Sequence, residues 1–290
     1  MSQAIQPAVR APSQPESFPA LVARTVKILF LERRLPGKCY QWYFSLLNRF
    51  GVRTAVIRTK NGYTVKGFTH CFFMFYEVWS KHDYDFADFS LAEGMTAIDI
   101  GANQGFFSLY AASKGAHVYA FEPCADNYEI LKWNVATNGL QGQVQMFNEA
   151  VAGRKGEVNL FVGRDESGGI MSGSASICNA NRGGKDAITQ PVRATTLDAI
   201  FADQKIEKCD FLKMDCEGAE YEILRNTSPS AFDRIDRVSM EAHDHRLEEA
   251  ASLLRQAGFE ILFCATGESG LIKAAKPGLR RATPELTHAK

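Results

Sequence analysis

The sequence predicts an α/β fold: a mostly parallel, doubly wound Rossmann-like sheet with an antiparallel C-terminal hairpin, preceded by an N-terminal helical and hairpin extension. Three observations carry this expectation. From residue 96 onward, apolar runs of strand length alternate with runs of helix length, the pattern of consecutive βαβ units. Two helical runs end at Gly115 and Gly139, where a helix C-terminus favours glycine. The last two apolar runs, "EILFCA" and "GLIKAAK", have no helix between them, which makes them a hairpin.

Taken in order, residues 1–20 carry four prolines and few apolar residues, so they read as a disordered tail. "LVARTVKILFLERRL" and "YQWYFSLLNRF" read as helices separated by Pro36 and Gly37. "TAVIRTKNGYTVKGF" is a hairpin turned at Asn61-Gly62. "FFMFYEVWSKHDYDFADF" reads as one aromatic-rich helix. Then follow the strand "TAIDIGA", the helix "FFSLYAASKG", the strand "HVYAFEP", the helix "NYEILKWNVATNG", and the strands "VQMFNEAV" and "GEVNLFV". Residues 164–189, rich in Gly and Ser, read as a mobile loop, and its part 168–184 is long enough to act as a lid over an acceptor. "TTLDAIF" starts a helix capped by Thr195 or Thr196. "DFLKMD" (strand), "AEYEILRN" (helix), "RVSMEAH" (strand) and "RLEEAASLLRQAG" (helix) lead to the closing hairpin.

Composition narrows the function classes. The 290 residues are 46% apolar and carry no net charge, so there is a sizeable core and no whole-molecule field to attract nucleic acid. Charge is nonetheless uneven: residues 1–60 hold ten Lys or Arg against two Glu. The basic stretch 21–35 therefore has two readings, packing on the domain or peripheral contact with an anionic membrane. No run is apolar enough to span a bilayer and no secretory pattern opens the chain. Seven cysteines without CxxC spacing point to a reducing, cytoplasmic setting and away from disulfides or zinc. Nothing in the sequence sets the oligomeric state.

In a sheet of this kind ligands bind beyond the carboxyl ends of the strands. After the first strand comes "DIGANQG": Gly101 and Gly105 permit a tight turn, and Asp99 suits a ligand that carries an ammonium group. After the second comes "FEP", with Glu122 placed 17 residues beyond Gly105 to accept hydrogen bonds from ribose hydroxyls. After the third, Asn148, Glu149 and Ala150 in "NEAVAG" would flank the adenine of a nucleoside lying across the sheet. The fourth strand ends in "KMDCEGAE", which crowds Asp215, Glu217 and Glu220 into six positions. The helix macrodipole accounts for Glu220 without chemistry, and it leaves Asp215 as a site residue. The fifth strand ends in "MEAH", so that His243 or Asp215 itself is the candidate general base, with Glu241 orienting. As an alternative, Asp215, Glu217 and Glu241 collect a divalent metal through oxygen ligands.

The stretch "AIDIGANQGFFSLYAASKGAHVYAFEPCADNYEILKWN", then "TTLD", then "DFLKMDCEGAEYEIL", resembles the FkbM-type methyltransferases over roughly residues 95–265. The resemblance implies a class I fold, S-adenosylmethionine as cofactor, and methylation of a hydroxyl on a sugar, glycoside or polyketide-like acceptor, small molecule or glycan. It implies that the first-turn acid and glycines hold the methionine end and that the second-strand acid holds the ribose. Cys216 departs from the aliphatic residue common at its place. The cofactor-binding set is Asp99, Gly101, Asn103, Gly105, Glu122, Pro123, Asn127, Glu149, Ala150 and Asp215, and the catalytic set is His243, Asp215 and Glu241. The chain divides into a tail (1–20), the extension (21–92), the methyltransferase domain (93–278) and a C-terminal tail (279–290). Two rivals stand beside this reading: an NAD-dependent oxidoreductase, disfavoured by the incomplete GxGxxG and by Asp99, and a non-catalytic binding protein that keeps the fold.

Overall fold

The computed structural model describes residues 37–164, 170–178, 187–265 and 270–279. The expected tail over 1–20, the basic helix over 21–35 and nearly all of the C-terminal tail lie outside these residues.

Helix α1 (Gly37–Arg49) buries Tyr43, Phe44 and Leu47. Phe44 stacks on Phe72 at 4.0 Å between ring centroids. Strands β1 (Thr54–Arg58) and β2 (Thr64–Phe68) form the expected antiparallel hairpin. Its turn uses Gly62 at φ 89°, a conformation glycine adopts without steric cost. The next segment departs from the expectation of one long helix. A 3-10 turn (Thr69–Cys71), helix α2 (Phe72–Tyr76) and a π-helical turn (Glu77–Lys81) succeed one another and stop at His82, which is left-handed at φ 58°. Residues beyond it are not helical; Phe86 and Phe89 pair as an isolated bridge. Aromatic burial, rather than helical periodicity, organises this stretch: Trp79, Phe75 and Phe106 pack against one another, and the Trp79 indole N–H donates to Phe106 O at 3.0 Å.

The main sheet contains β3 (Thr96–Ile100), β4 (His117–Phe121), β5 (Val144–Phe147), β10 (Phe211–Met214), β11 (Arg237–Ala242), β12 (Glu260–Ala265) and β13 (Gly270–Ala275). Their spatial order is β12-β13-β11-β10-β3-β4-β5. Five strands are parallel, and β13 runs antiparallel between β11 and β12. Helices α3 (Phe106–Ser113) and α4 (Ala125–Thr137) belong to the first half of the winding. Helices α5 (Leu197–Asp203), α6 (Glu220–Asn226), α7 (Pro229–Phe232) and α8 (Leu247–Gln256) belong to the second. Thr196 caps α5 by accepting the Ala199 N–H. The winding reverses between β3 and β10, so the carboxyl ends of those two strands flank the switch point, where such sheets bind ligands. Side-chain alternation divides the core: Ala97 and Phe211 belong to the layer that includes the N-terminal aromatics, while Ile98, Ile100, Leu212 and Met214 belong to the other.

Two expectations fail in the middle of the chain. The apolar run 144–151 is not one strand. It breaks at Asn148, whose side-chain amide donates to Glu122 O and Pro123 O, and its end forms β6 (Ala150–Val151) in a different sheet. Nor is 164–189 a loop throughout. With β7 (Gly156–Arg164), the strands β8 (Ile170–Ser176) and β9 (Ile188–Thr195) build a second sheet of order β6-β9-β7-β8. Residues 165–169 and 179–186, and with them much of the expected lid, lie outside the described residues.

The hairpin is fastened to the main sheet by side-chain amides. The outward N–H groups of Thr64, Lys66 and Phe68 donate to Asn138, Asn134 and Gln104 at 2.7, 2.7 and 2.8 Å. Asn138 and Asn134 donate back to the carbonyls of Thr64 and Lys66. Four residues along a helix advance about 6 Å and two along a strand nearly 7 Å. Asn134 on α4 and Asn138 at its C-cap therefore match the repeat of β2 and take the place of a neighbouring strand.

Candidate active site

Four turns at strand ends meet at the switch point. Gly101 (φ 73°) and Asn103 (φ 51°) follow β3. The Gly101 and Ala102 N–H groups donate to Phe121 O, which ties the turn to β4. A Cβ on Gly101 would lie 1.8 Å from the carbonyl oxygen of Asp215, so glycine alone lets these two turns approach. Gly105, also left-handed, precedes α3, and a Cβ there would strike Leu131. In "KMDCEGAE" the backbone turns through Glu217 at φ 57° and Gly218 at φ 109°. A left-handed glutamate is sterically costly, and such strain concentrates at functional sites.

Two cavities share this corner. A narrow cleft is walled by Ile100, Phe121, Glu122 and Pro123 from the main fold and by Ala150, Val151, Leu160, Ala175 and Ile177 of the second-sheet region. A wider cavity of about 470 Å³ is walled by Phe73, Val78, Tyr84, Phe106 and Phe107, with Lys213 and Glu241 at its polar end. Met74, Gly101, Asn103, Asp215 and Glu217 line both.

Of the residues expected to hold a cofactor, Gly101, Asn103, Glu122, Pro123, Ala150 and Asp215 line the narrow cleft. The others do not. Asp99 is fully buried and absent from both linings. The ammonium it meets is this chain's own: Lys213 Nζ stands 3.2 Å from Asp99 Oδ1, and Ser108 Oγ donates to Oδ2 at 2.6 Å. Asn127 is a buried supporting residue beside Glu122. Gly105 serves packing against Leu131. Glu149 pairs with Arg193 at 2.9 Å rather than facing the cleft.

Glu122 is buried but fully engaged. Its Oε2 accepts the Asn103 N–H at 2.7 Å, and its Oε1 accepts the Cys124 N–H at 2.8 Å. Desolvation outweighs these donors and raises its pKa to about 7. Lys213 sits at the centre, donating to Gly101 O at 2.7 Å and lying 3.8 Å from Asp215 Oδ2. Burial opposes its charge, yet Asp99 and Asp215 prevail and raise its pKa. Sequence analysis does not single out Lys213; the sign of its role is a lysine within the otherwise apolar strand Phe211–Met214.

His243 lies just past β11. Its Nδ1–H donates to Glu220 Oε1 at 2.8 Å. The sequence reading gave Glu220 to the helix dipole and the orienting role to Glu241. In the structure Glu220 is fully buried, and it also accepts the N–H groups of Cys216 and Gly218. Glu241 stands 3.9 Å from His243 Nε2, Asp215 3.8 Å and Glu217 3.6 Å. Desolvation disfavours the imidazolium, but Glu220, Asp215 and Glu217 outweigh it and push the His243 pKa up to about 9. At neutral pH the ring therefore keeps its proton, which argues against His243 as a simple base. The Tyr84 hydroxyl donates to Asp215 Oδ2 at 3.1 Å.

The sheet order, with an antiparallel strand inserted beside the last parallel one, and the two joined cavities at the switch point define a Rossmann-like methyltransferase fold. Residues 99–261 match the methyltransferase FkbM domain, and the chain belongs to that family. It is 27% identical over 237 residues to the 31-O-demethyl-FK506 methyltransferase FkbM of Streptomyces tacrolimicus, covering 71% of this chain and 89% of the relative. It is 25% identical over 224 residues to the AMB antimetabolite synthetase AmbE of Pseudomonas aeruginosa, covering 65% of this chain and only 10% of that much longer relative. Among solved structures, the methyltransferase FkbM of Methylobacillus flagellatus KT aligns with a TM-score of 0.45 at 14% identity, covering 69% of this chain and 47% of the other.

Proposed function

We propose that the protein is an S-adenosylmethionine-dependent O-methyltransferase acting on a hydroxyl of a small molecule or glycan. The observation that carries the reading is the joining of the two cavities along Gly101, Asn103, Asp215 and Glu217. With S-adenosylmethionine in the narrow cleft, Glu122 would hold the ribose, and Asp215 and Glu217 of the shared wall would face the sulfonium. An acceptor in the wider cavity then meets the methyl group from the opposite side. Family membership supports methyl transfer, and the size and aromatic walls of the second cavity support a carbon-rich acceptor. The bound cofactor would supply its methyl group by in-line displacement, the methyl–sulfur bond exchanged for a methyl–oxygen bond, and the Asp215–Glu217 carboxylate group would take the hydroxyl proton. Asp99 acts one layer behind by holding Lys213, which positions the Gly101 turn and Asp215.

The cofactor supplies the activated methyl group when bound; the chain supplies orientation, charge and exclusion of water. Thermal melting with S-adenosylhomocysteine, S-adenosylmethionine and NAD tests the reading. A ligand at 100 times its Kd stabilises by about 2.7 kcal/mol, a shift of several degrees at this size. The two adenosyl compounds should each produce that shift. A shift with NAD alone overturns the proposal.

A further inference from the structure

We propose that Asp215, Glu241 and His243 form a binding site for one divalent transition-metal ion at the polar end of the wider cavity. A carboxylate oxygen from each acid and a ring nitrogen of the histidine lie within 4.8 Å of one another. The three come from two adjacent strand ends, Asp215 just past β10 and Glu241 and His243 at the end of β11, so the sheet itself sets their spacing.

A patch of acids alone would not point to an ion. The histidine does. Its side chain is 7% exposed, and its Nδ1 is committed to Glu220 at 2.8 Å. That leaves Nε2 facing Glu217 Oε2, Asp215 Oδ1 and Glu241 Oε1, 3.6, 3.8 and 3.9 Å away, without a hydrogen bond to any of the three. Such separations are too long for hydrogen bonds. They suit ligands of one ion: at bonds of about 2.1 Å, two ligands stand about 3 Å apart at a right angle and about 4.2 Å apart across the ion. The carboxylate behind the ring completes the arrangement that fixes a metal-binding imidazole: Nδ1–H is held from outside, and the ion takes the place of the Nε2 proton.

The donor set also chooses the ion. Magnesium and calcium prefer oxygen ligands throughout, whereas one imidazole with two carboxylates suits manganese, iron(II) or zinc. Asp215 and Glu241 line the wider cavity, so the remaining coordination positions face the acceptor. For its catalytic part this inference rests on the methyltransferase reading. An acceptor hydroxyl oxygen bound to the ion loses its proton more readily; with Asp215 on the metal, Glu217 takes the proton, and the oxygen displaces the sulfonium as above.

The test uses the whole protein after treatment with a chelator. Manganese(II) is titrated in, and free ion is followed by electron paramagnetic resonance. One ion should bind per chain. Binding should weaken at least tenfold in His243→Gln and in Glu241→Gln; the second residue is 31% exposed, so its variant tests the site even if the histidine variant does not fold. Absence of stoichiometric binding overturns the site, and so does binding that both variants leave unchanged. Melting with S-adenosylhomocysteine on the same samples separates the two claims. A shift without manganese binding leaves the methyltransferase reading and removes the metal, and manganese binding without a shift does the reverse.

Discussion

Glu220 holds three donors at once: the His243 ring and the N–H groups of Cys216 and Gly218. Glu220→Ala strands all three inside the protein. Loss of one partner of a buried pair typically costs about 3–5 kcal/mol, so urea unfolding should show a loss of that order. Glu220→Gln should lose clearly less, because the amide oxygen still accepts. The sequence could not display this role. A glutamate in the first turn of a helix is stabilised whether or not a histidine faces it, and only the positions of β10 and β11 bring His243 there. Glu122 was legible, since an acid at the end of the second strand has a recognised place in such sheets. Its raised pKa was not, because that follows from burial. An unfolded glutamate ionises near 4.5, and this one near 7 in the folded protein. It therefore costs no stability below pH 4.5, and the cost grows to its full value above 7. The ionised form accepts ribose hydroxyls better. Affinity for S-adenosylhomocysteine should accordingly rise between pH 6 and 8 and level off above; isothermal calorimetry on wild type and Glu122→Gln should show a rise in the first and a flat, weaker profile in the second.

At the scale of elements, βαβ alternation was read correctly because each buried parallel strand is an apolar run closed by a turn. Of the second sheet the sequence shows only β7, as a strand of an extra hairpin; β8 is illegible because "IMSGSAS" has almost no apolar periodicity. Its reason for being a strand is tertiary: it pairs with β7, and Ser176 Oγ donates to Glu217 O at 2.7 Å. Thus a segment that reads as loop wedges against the strained turn of the site and contributes Ala175 to the cleft. The Gly101 turn is the most exposed to substitution. Gly101→Ala meets both a left-handed φ of 73° and an oxygen 1.8 Å from the new carbon. The β3 and β10 ends must then separate, and the expected result is a melting point lowered by several degrees with no adenosyl-ligand shift. Across the sheet, Asn134→Ala removes one rung of the amide ladder and leaves Lys66 N–H and C=O unpaired. Unsatisfied buried groups cost about 1–3 kcal/mol each. Hydrogen exchange should report faster opening at Thr64, Lys66 and Phe68, with β3 and β4 unchanged.

Considered whole, the molecule divides its work unevenly along the chain. The family match covers 99–261, and the glycine turn, Glu122, Asp215 and His243 all fall within it. Nearly half of the wall of the wider cavity comes from before it: Phe73, Met74, Val78 and Tyr84 belong to the segment between the hairpin and β3. This is the segment whose mixed 3-10, α and π turns the sequence disguised as a single helix, because aromatic contacts fixed its path and periodicity did not. The amide ladder from α4 holds the neighbouring hairpin on the shared framework. Cofactor affinity and acceptor fit should therefore separate by substitution. Val78 is buried, lines the wider cavity, and is absent from the lining of the narrow cleft. Val78→Phe puts a ring into the acceptor space while leaving Glu122, Pro123 and Ala150 untouched. Calorimetry should find S-adenosylhomocysteine binding within about twofold of wild type, under 0.5 kcal/mol, while methyl transfer to any acceptor that fills the cavity is lost. If cofactor binding fell together with transfer, the two cavities would be one site, and the 69–84 segment would belong to cofactor recognition as well.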